Sequence, residues 1–114
     1  MVRVGNLEMK MHTNPDGSEV LVPSTAVIGD NVAIGMYTHI GNFANIGDDS
    51  WIGENVQIKN NVVIERNVTI GGGCVIESGV RVSKGTSIPQ DWRIRSGSYV
   101  NPGNQSNDYL PQIH

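Results

Sequence analysis

The chain has 114 residues, of which 38% are hydrophobic, so its length leaves room for one domain with a modest core. Its net charge of −3 argues against a general nucleic-acid binder, and no apolar run approaches the roughly 20 residues of a membrane span. Cys74 is the only cysteine, so nothing requires an oxidising compartment. We expect a cytoplasmic protein without a membrane or nucleic-acid partner.

Residues 1–21 are predicted to form a strand or hairpin that caps the rest of the domain. Hydrophobic residues alternate along this segment on either side of the turn sequence Asn14-Pro15-Asp16-Gly17, as expected for strands joined by a turn. A cap is needed because the open end of a repeat fold exposes unpaired backbone groups and an apolar core.

Residues 22–103 carry an uninterrupted six-residue repeat. An α-helix cannot use this period, because residues six apart would be scattered around its axis, whereas short strands separated by corners can. The repeated aliphatic residues number fourteen: Val22, Ile28, Ile34, Ile40, Ile46, Ile52, Ile58, Ile64, Ile70, Ile76, Val82, Ile88, Ile94 and Val100.

Two further positions of the repeat support this prediction. Four residues after each aliphatic stands a second, mostly small residue, so that each strand supplies an alternating inward pair. Three residues after it, ten of the twelve repeats from Ile28 to Ile94 carry Asn, Asp or Gly, which tolerate the positive φ of a sharp corner. Tyr37 and Phe43 hold the remaining two corners, where a bulky side chain would be strained.

The end of the repeats is marked by a tryptophan. Trp92 takes an inward position that elsewhere holds a small residue, and an interior sized for valine has no space for an indole, so we expect it at the capped end of the core. Residues 104–114 are predicted to form an extended C-terminal tail that is able to pack on a neighbouring chain.

Runs such as Ile28-Gly29-Asp30-Asn31-Val32-Ala33 and Ile52-Gly53-Glu54-Asn55-Val56-Gln57 resemble the hexapeptide repeats of the left-handed parallel β-helix superfamily. The resemblance implies an all-β fold: a single-stranded, left-handed triangular prism with eighteen residues per coil. The repeats would fill a little over four coils, without an extruded loop. The glycine that usually follows the aliphatic is replaced in the later coils, for example by Lys59 and Glu65.

Outward-facing residues indicate self-association. With eighteen residues per coil, the positions just before the aliphatic form three columns that include exposed Val63, Val75, Trp51 and Tyr99, and several apolar residues on flat faces favour buried contacts. The resemblance points the same way, because these β-helices typically form homotrimers around a threefold axis.

His39 is the only histidine inside the repeats. The resemblance implies a catalytic role for it, because small acyltransferases of this superfamily use an outward histidine near a subunit boundary as general base towards coenzyme A thioesters. Tyr37 and Phe43 flank it, and either an acceptor site or a trimer interface would explain this grouping. The same two interpretations apply to the neighbouring outward residues Asn45, Trp51 and Gln57.

The charge distribution suggests where a coenzyme A phosphate would bind. Residues 1–57 hold two bases and seven acids, whereas residues 58–114 hold six bases and four acids. Arg81, Lys84, Arg93 and Arg95 belong to the later coils, and Arg93 stands in the column of His39, three coils on and roughly 14 Å away. A solvated basic rim would explain the same pattern.

The sequence therefore leaves two functional hypotheses open. One is a small acyltransferase with acetyl-coenzyme A or another acyl-coenzyme A as co-substrate and an unknown small-molecule acceptor. The other is a noncatalytic trimeric binding or scaffold module. No metal site is predicted, because a zinc centre of the carbonic anhydrase type needs three imidazoles and His12 and His114 lie outside the coils. No cofactor is expected to be required for folding.

Overall fold

The structure, a computed structural model, describes residues 2–4, 7–102 and 109–111. These residues contain no helix, and therefore none that is long and apolar enough to cross a membrane. They form seventeen strands: β1 (Val2–Val4), β2 (Leu7–Thr13), β3 (Glu19–Pro23), β4 (Val27–Ile28), β5 (Ala33–Ile34), β6 (His39–Ile40), β7 (Asn45–Ile46), β8 (Trp51–Ile52), β9 (Gln57–Ile58), β10 (Val63–Ile64), β11 (Thr69–Ile70), β12 (Val75–Ile76), β13 (Arg81–Val82), β14 (Ser87–Ile88), β15 (Trp92–Ile94), β16 (Tyr99–Val100) and β17 (Tyr109–Pro111).

The repeats wind into a parallel β-helix of about four coils, which confirms the predicted all-β fold. The first face of the prism consists of β4, β7, β10, β13 and β16, the second of β5, β8, β11 and β14, and the third of β6, β9, β12 and β15. Every pairing between coils joins residues eighteen apart, such as Val63 with Arg81. We call the turns after these faces the first, second and third corners, in chain order.

The inward pairs of the repeat fill the core. The aliphatic column is buried from Ile34 to Val100, and Val32, Val56 and Val62 at the second inward position are fully buried. The polar inward residues are hydrogen-bonded, as buried polar groups must be. Ser50 Oγ, for example, donates to Glu65 O at 3.0 Å and accepts from the Val68 amide at 3.2 Å.

All twelve corner residues from Asn31 to Gly97 have a positive φ, between 56° and 76°. The two bulky exceptions follow the rule, since φ is 62° at Tyr37 and 60° at Phe43. A left-handed conformation costs an ordinary L-residue roughly 1–2 kcal/mol. The backbone is therefore strained at Tyr37 and Phe43, two corners where Asn or Gly would adopt the same φ at lower cost.

The glycine that follows the aliphatic in the early coils is needed for close approach between coils. A Cβ atom at Gly41 would lie 2.5 Å from the Lys59 carbonyl carbon, and one at Gly47 would lie 2.6 Å from the Arg66 nitrogen. Both distances are far inside van der Waals contact, so neighbouring coils can approach this closely at these two positions only because both residues are glycine.

The hairpin of β2 and β3 closes the first end of the β-helix. Both strands pair antiparallel, with β1 on the outer side of β2. Lys10 Nζ donates to Ala26 O at 2.5 Å, and His12 Nε2 donates to Val32 O at 2.7 Å. Asn14 Nδ2 donates to Ile34 O at 2.9 Å, while the Ile34 amide donates to Asn14 Oδ1 at 2.8 Å. If another coil preceded this one, a peptide group of its strand would make these two hydrogen bonds to Ile34. Here the carboxamide of Asn14 makes them instead.

Replacing Asn14 with alanine should therefore destabilise the domain by about 2 kcal/mol, because it leaves a buried donor and a buried acceptor of Ile34 unsatisfied. Asn60→Ala is the matched control, since Asn60 Oδ1 accepts a single exposed hydrogen bond from the Asn42 amide. Chemical denaturation would measure both losses. Equal losses for the two variants would contradict the proposed role of Asn14 in the cap.

At the other end, β17 pairs antiparallel with β15 of its own chain, with Pro111 opposite Trp92. Trp92 is partly buried and packs against the core, as expected for a residue at the capped end. The described part of the predicted tail thus extends the third face, while residues 103–108 and 112–114 lie outside the described residues.

Candidate functional site

The His39 side chain projects outward from the third face. It precedes inward Ile40 on the two-residue strand β6, and alternation along the strand exposes the imidazole. The backbone is fixed by the neighbouring coil, since the His39 amide donates to Val56 O at 2.8 Å. Among residues 8–102, no side chain hydrogen-bonds to the imidazole. A rigid backbone therefore presents an imidazole that is accessible for proton transfer.

Gln57 is the direct neighbour of His39 on the next coil of the third face. Adjacent strands lie about 4.8 Å apart, so a molecule that touches the imidazole also reaches the Gln57 side chain. Lys59 Nζ donates to Gln57 Oε1 at 3.1 Å, which fixes the orientation of the amide and leaves its NH₂ group to donate. Lys59 is not among the site residues predicted from the sequence. Its position two residues after Gln57 was the available signal that the two side chains could meet.

Tyr37 and Phe43 bracket this face from the second and third corners. Their exposed fractions are 78% and 63%, so the strain at these corners is not offset by burial within the chain. Phe43 departs from its corner column in one further way, because its amide donates to Thr25 Oγ1 at 3.0 Å instead of to a carbonyl. Exposed aromatics in a strained conformation are expected where contact with another molecule compensates for the strain.

Phe43→Asn should stabilise the isolated chain by about 1 kcal/mol, because asparagine tolerates positive φ and little buried area is lost. Asn61→Phe, at the same corner one coil on with φ 60°, should cost a similar amount. Thermal and chemical denaturation would check both changes. A destabilised Phe43→Asn variant would show that the phenyl ring contributes packing that outweighs the strain.

The structure separates the remaining predicted acceptor or interface residues. Asn45 lies on the first face, where it pairs with Val27 and Val63, and Trp51 lies on the second face beside Ala33. Only Gln57 shares a face with His39.

The predicted phosphate-binding residues also divide between two sides of the prism. Arg93 stands on the third face, three pairings from His39, as the column predicted, and Arg95 follows it at the third corner. Arg81 lies on the first face, and Lys84 occupies the first corner that follows it. No single ligand contact would bring all four cations together, so each pair is a separate candidate.

Two of these cations already have carboxylate partners. The Arg81 guanidinium donates through Nε and Nη2 to Glu65 Oε2, at 3.0 and 2.7 Å, and Arg93 Nε donates to Glu77 Oε2 at 2.7 Å. The pKa of Glu65 is lowered, first by the hydrogen bonds from Arg81 and then by the Lys84 amide. A phosphate at Arg81 or Arg93 must therefore compete with a carboxylate that already accepts hydrogen bonds from the guanidinium.

Arg66 is a cation that the sequence analysis overlooked. It precedes Lys84 by eighteen residues at the first corner, and both line a cleft of about 470 Å³ together with Val27, Asn45 and Asp48. The eighteen-residue spacing would have placed the two bases together. They form a second candidate anion site next to the first face, in a cleft that the carboxylates of Asp48 and Glu65 also line.

Among the described residues, no group of three or more His, Cys, Asp or Glu side chains is arranged to hold a metal ion. His12, which the sequence placed outside the coils, contributes its Nε2 proton to the cap.

The repeats themselves have known relatives. The family described as "Bacterial transferase hexapeptide (six repeats)" matches residues 49–84. The predicted resemblance is confirmed. No curated protein matches the chain. A crystal structure described as a "putative acetyltransferase" from Bacillus cereus aligns with 16% identity over 82% of this chain and 77% of that chain. Its TM-score against this chain is 0.35.

Proposed function

We propose that this protein is a coenzyme A-dependent acyltransferase with an amine or hydroxyl acceptor. The observation that carries the proposal is the accessible His39 imidazole on a rigid flat face, between two strained and exposed aromatic corners. The hexapeptide-transferase match over residues 49–84 supports the same class of chemistry. A cytoplasmic location agrees with this activity and with the free, buried Cys74.

In this proposal His39 acts as the general base. It takes the proton from the acceptor nitrogen or oxygen while that atom attacks the thioester carbonyl carbon, the carbon–sulfur bond breaks, and the proton leaves with the thiolate. The oriented amide of Gln57 donates a hydrogen bond to the bound substrate. Tyr37 and Phe43 form apolar walls on either side of the substrate at His39. The acyl group ends on the acceptor, and free coenzyme A is released.

The phosphates of acyl-coenzyme A have two candidate binding regions. Arg93 lies on the face of His39, roughly 14 Å from it on the strand spacing, and Arg95 follows at the third corner. Arg66, Arg81 and Lys84 lie around the first corner. Single alanine variants at Arg93 and Lys84 would distinguish the two regions by their effect on the KM for acyl-coenzyme A.

We further propose a homotrimer whose contacts involve the first and third faces, where Val63 and Val75 are partly exposed. Light scattering should give a mass near three times 12.3 kDa. The double variant Val63→Lys, Val75→Lys should shift the mass towards one chain, because lysine ammonium groups would be buried without partners. The isosteric double variant Val63→Thr, Val75→Thr should remain assembled. A monomeric wild type would refute the trimer and any site between subunits.

The activity itself is tested by release of free thiol from acetyl-coenzyme A in the presence of a panel of amines and alcohols. Acceptor-dependent release, with the acylated product identified by mass spectrometry, is the expected result. A crystal soaked with acetyl-coenzyme A should show the ligand near His39.

The ion pairs Arg81–Glu65 and Arg93–Glu77 favour the second hypothesis, a noncatalytic trimeric binding or scaffold module. In that case the cations stabilise the coils and are not phosphate ligands. A stable trimer that turns over no thioester with any acceptor would favour the noncatalytic module and contradict the acyltransferase proposal.

A further inference from the structure

A cleft of about 510 Å³ lies between the turn of the N-terminal hairpin and the start of the second face. Its size falls within the range of small-molecule sites, roughly 300–1,000 Å³. The hydrogen bonds of Asn14 to Ile34 hold the turn against β5, so both walls are fixed. This cleft is separate from the third face, which carries His39.

The floor of the cleft is apolar. Ala33 pairs directly with Trp51, and the small side chain beside the large one leaves a depression in the second face. Met36 adds a thioether from the second corner. Trp51 and Met36 have exposed fractions of 51% and 59%, so the indole and the thioether both remain accessible.

The rim of the cleft is acidic. Asp16 comes from the turn, Glu19 from β3 and Glu54 from the second corner, and no Lys, Arg or His is among the described residues that line the cleft. Asp16 is held in place, since its Oδ1 accepts hydrogen bonds from the Ser18 amide and hydroxyl at 2.9 and 2.6 Å. These bonds lower the pKa of Asp16 and keep it ionised.

We propose that this cleft binds a small organic cation, an ammonium group carried on an apolar body, with Trp51 as its platform and Asp16, Glu19 and Glu54 as its counter-charges. Tryptophan is the best aromatic partner for a cation, and a carboxylate rim selects against anions. The acidic and apolar groups come from three different segments, so the cleft exists only when the hairpin is docked. The proposal does not depend on acyl transfer.

The test compares three ligands of similar shape on the full chain: phenethylammonium, neutral phenethyl alcohol and anionic phenylacetate. The NMR signal of the Trp51 indole N–H, assigned by comparison with a Trp92→Phe variant, should shift saturably with phenethylammonium. Binding of the alcohol should be about tenfold weaker, and phenylacetate should not bind. High salt should weaken the binding of the cation, because the carboxylates are exposed.

Variants of the cleft make the assignment specific. Trp51→Ala should abolish binding as measured by calorimetry, and Glu54→Gln should weaken it several-fold. Asp30→Asn removes a carboxylate at the first corner, outside the cleft, and should leave affinity within about twofold of wild type. Equal affinity for the alcohol, retained binding in Trp51→Ala, or no shift of the Trp51 signal at millimolar cation would each overturn the proposal.

Discussion

Replacing Ile64 with aspartate is expected to unfold the whole domain. Ile64 is 1% exposed and stacks between Ile46 and Val82 in the first face. An aspartate there would bury a carboxylate with no partner, at a cost comparable to the roughly 5–15 kcal/mol by which a domain of ordinary stability is folded. Circular dichroism should show no cooperative melting transition at neutral pH.

Ile64→Val provides the matched control, because it removes one methylene from the same site and should cost about 0.5–1.5 kcal/mol. A cooperative transition near that of wild type in Ile64→Asp would mean that the inward register is wrong. Since one register assigns every inward and outward residue, such a result would also move His39 off the surface.

His39→Ala is expected to abolish acyl transfer without loosening the assembly. Removal of a general base typically lowers the rate about 10²- to 10⁴-fold. The exposed imidazole makes no side-chain hydrogen bond among residues 8–102, so its loss should cost about 0.5 kcal/mol of stability or less. Turnover, trimer mass and melting temperature, measured on the same preparation, would check this.

Two further variants sharpen the result. Thr69→Ala, at an exposed strand position on the second face, should leave all three measurements unchanged. Arg93→Ala should raise the KM for acyl-coenzyme A more than it lowers kcat, if the guanidinium contacts a phosphate. A stable His39→Ala trimer with full activity would eliminate the base assignment, and a dissociated trimer would make His39 an interface residue.

Most of the fold could be predicted because each residue's environment repeats every eighteen positions. The six-residue repeat alone predicted which residues point inward, which residues form the corners, and that His39 lies beside Gln57. It also identified Tyr37 and Phe43 as strained, since a repeat makes a departure from its pattern visible.

The candidate site was less predictable, because its contacts cross the repeat. Arg81–Glu65 and Arg93–Glu77 each join residues sixteen apart, from a face position to the corner of the preceding coil, and a column of equivalent positions does not show this offset. The acidic cleft depends on which face the hairpin turn lies against. The hydrogen bonds between Asn14 and Ile34 determine the face on which the turn lies. They are tertiary contacts, which local sequence patterns do not predict.

The side chains of Lys10, His12 and Asn14 also limit how long the structure can grow. A β-helix has no intrinsic length, and a bare end coil offers the same hydrogen-bonding groups to a second molecule as to its own next coil. Here an ammonium, an imidazole and a carboxamide form hydrogen bonds to those groups. Side-chain groups of this kind do not offer a further strand the hydrogen-bonding pattern of a β-strand edge. The hairpin therefore blocks end-to-end pairing of β-helices at this end, and its removal is expected to leave these groups open to a strand of a second molecule.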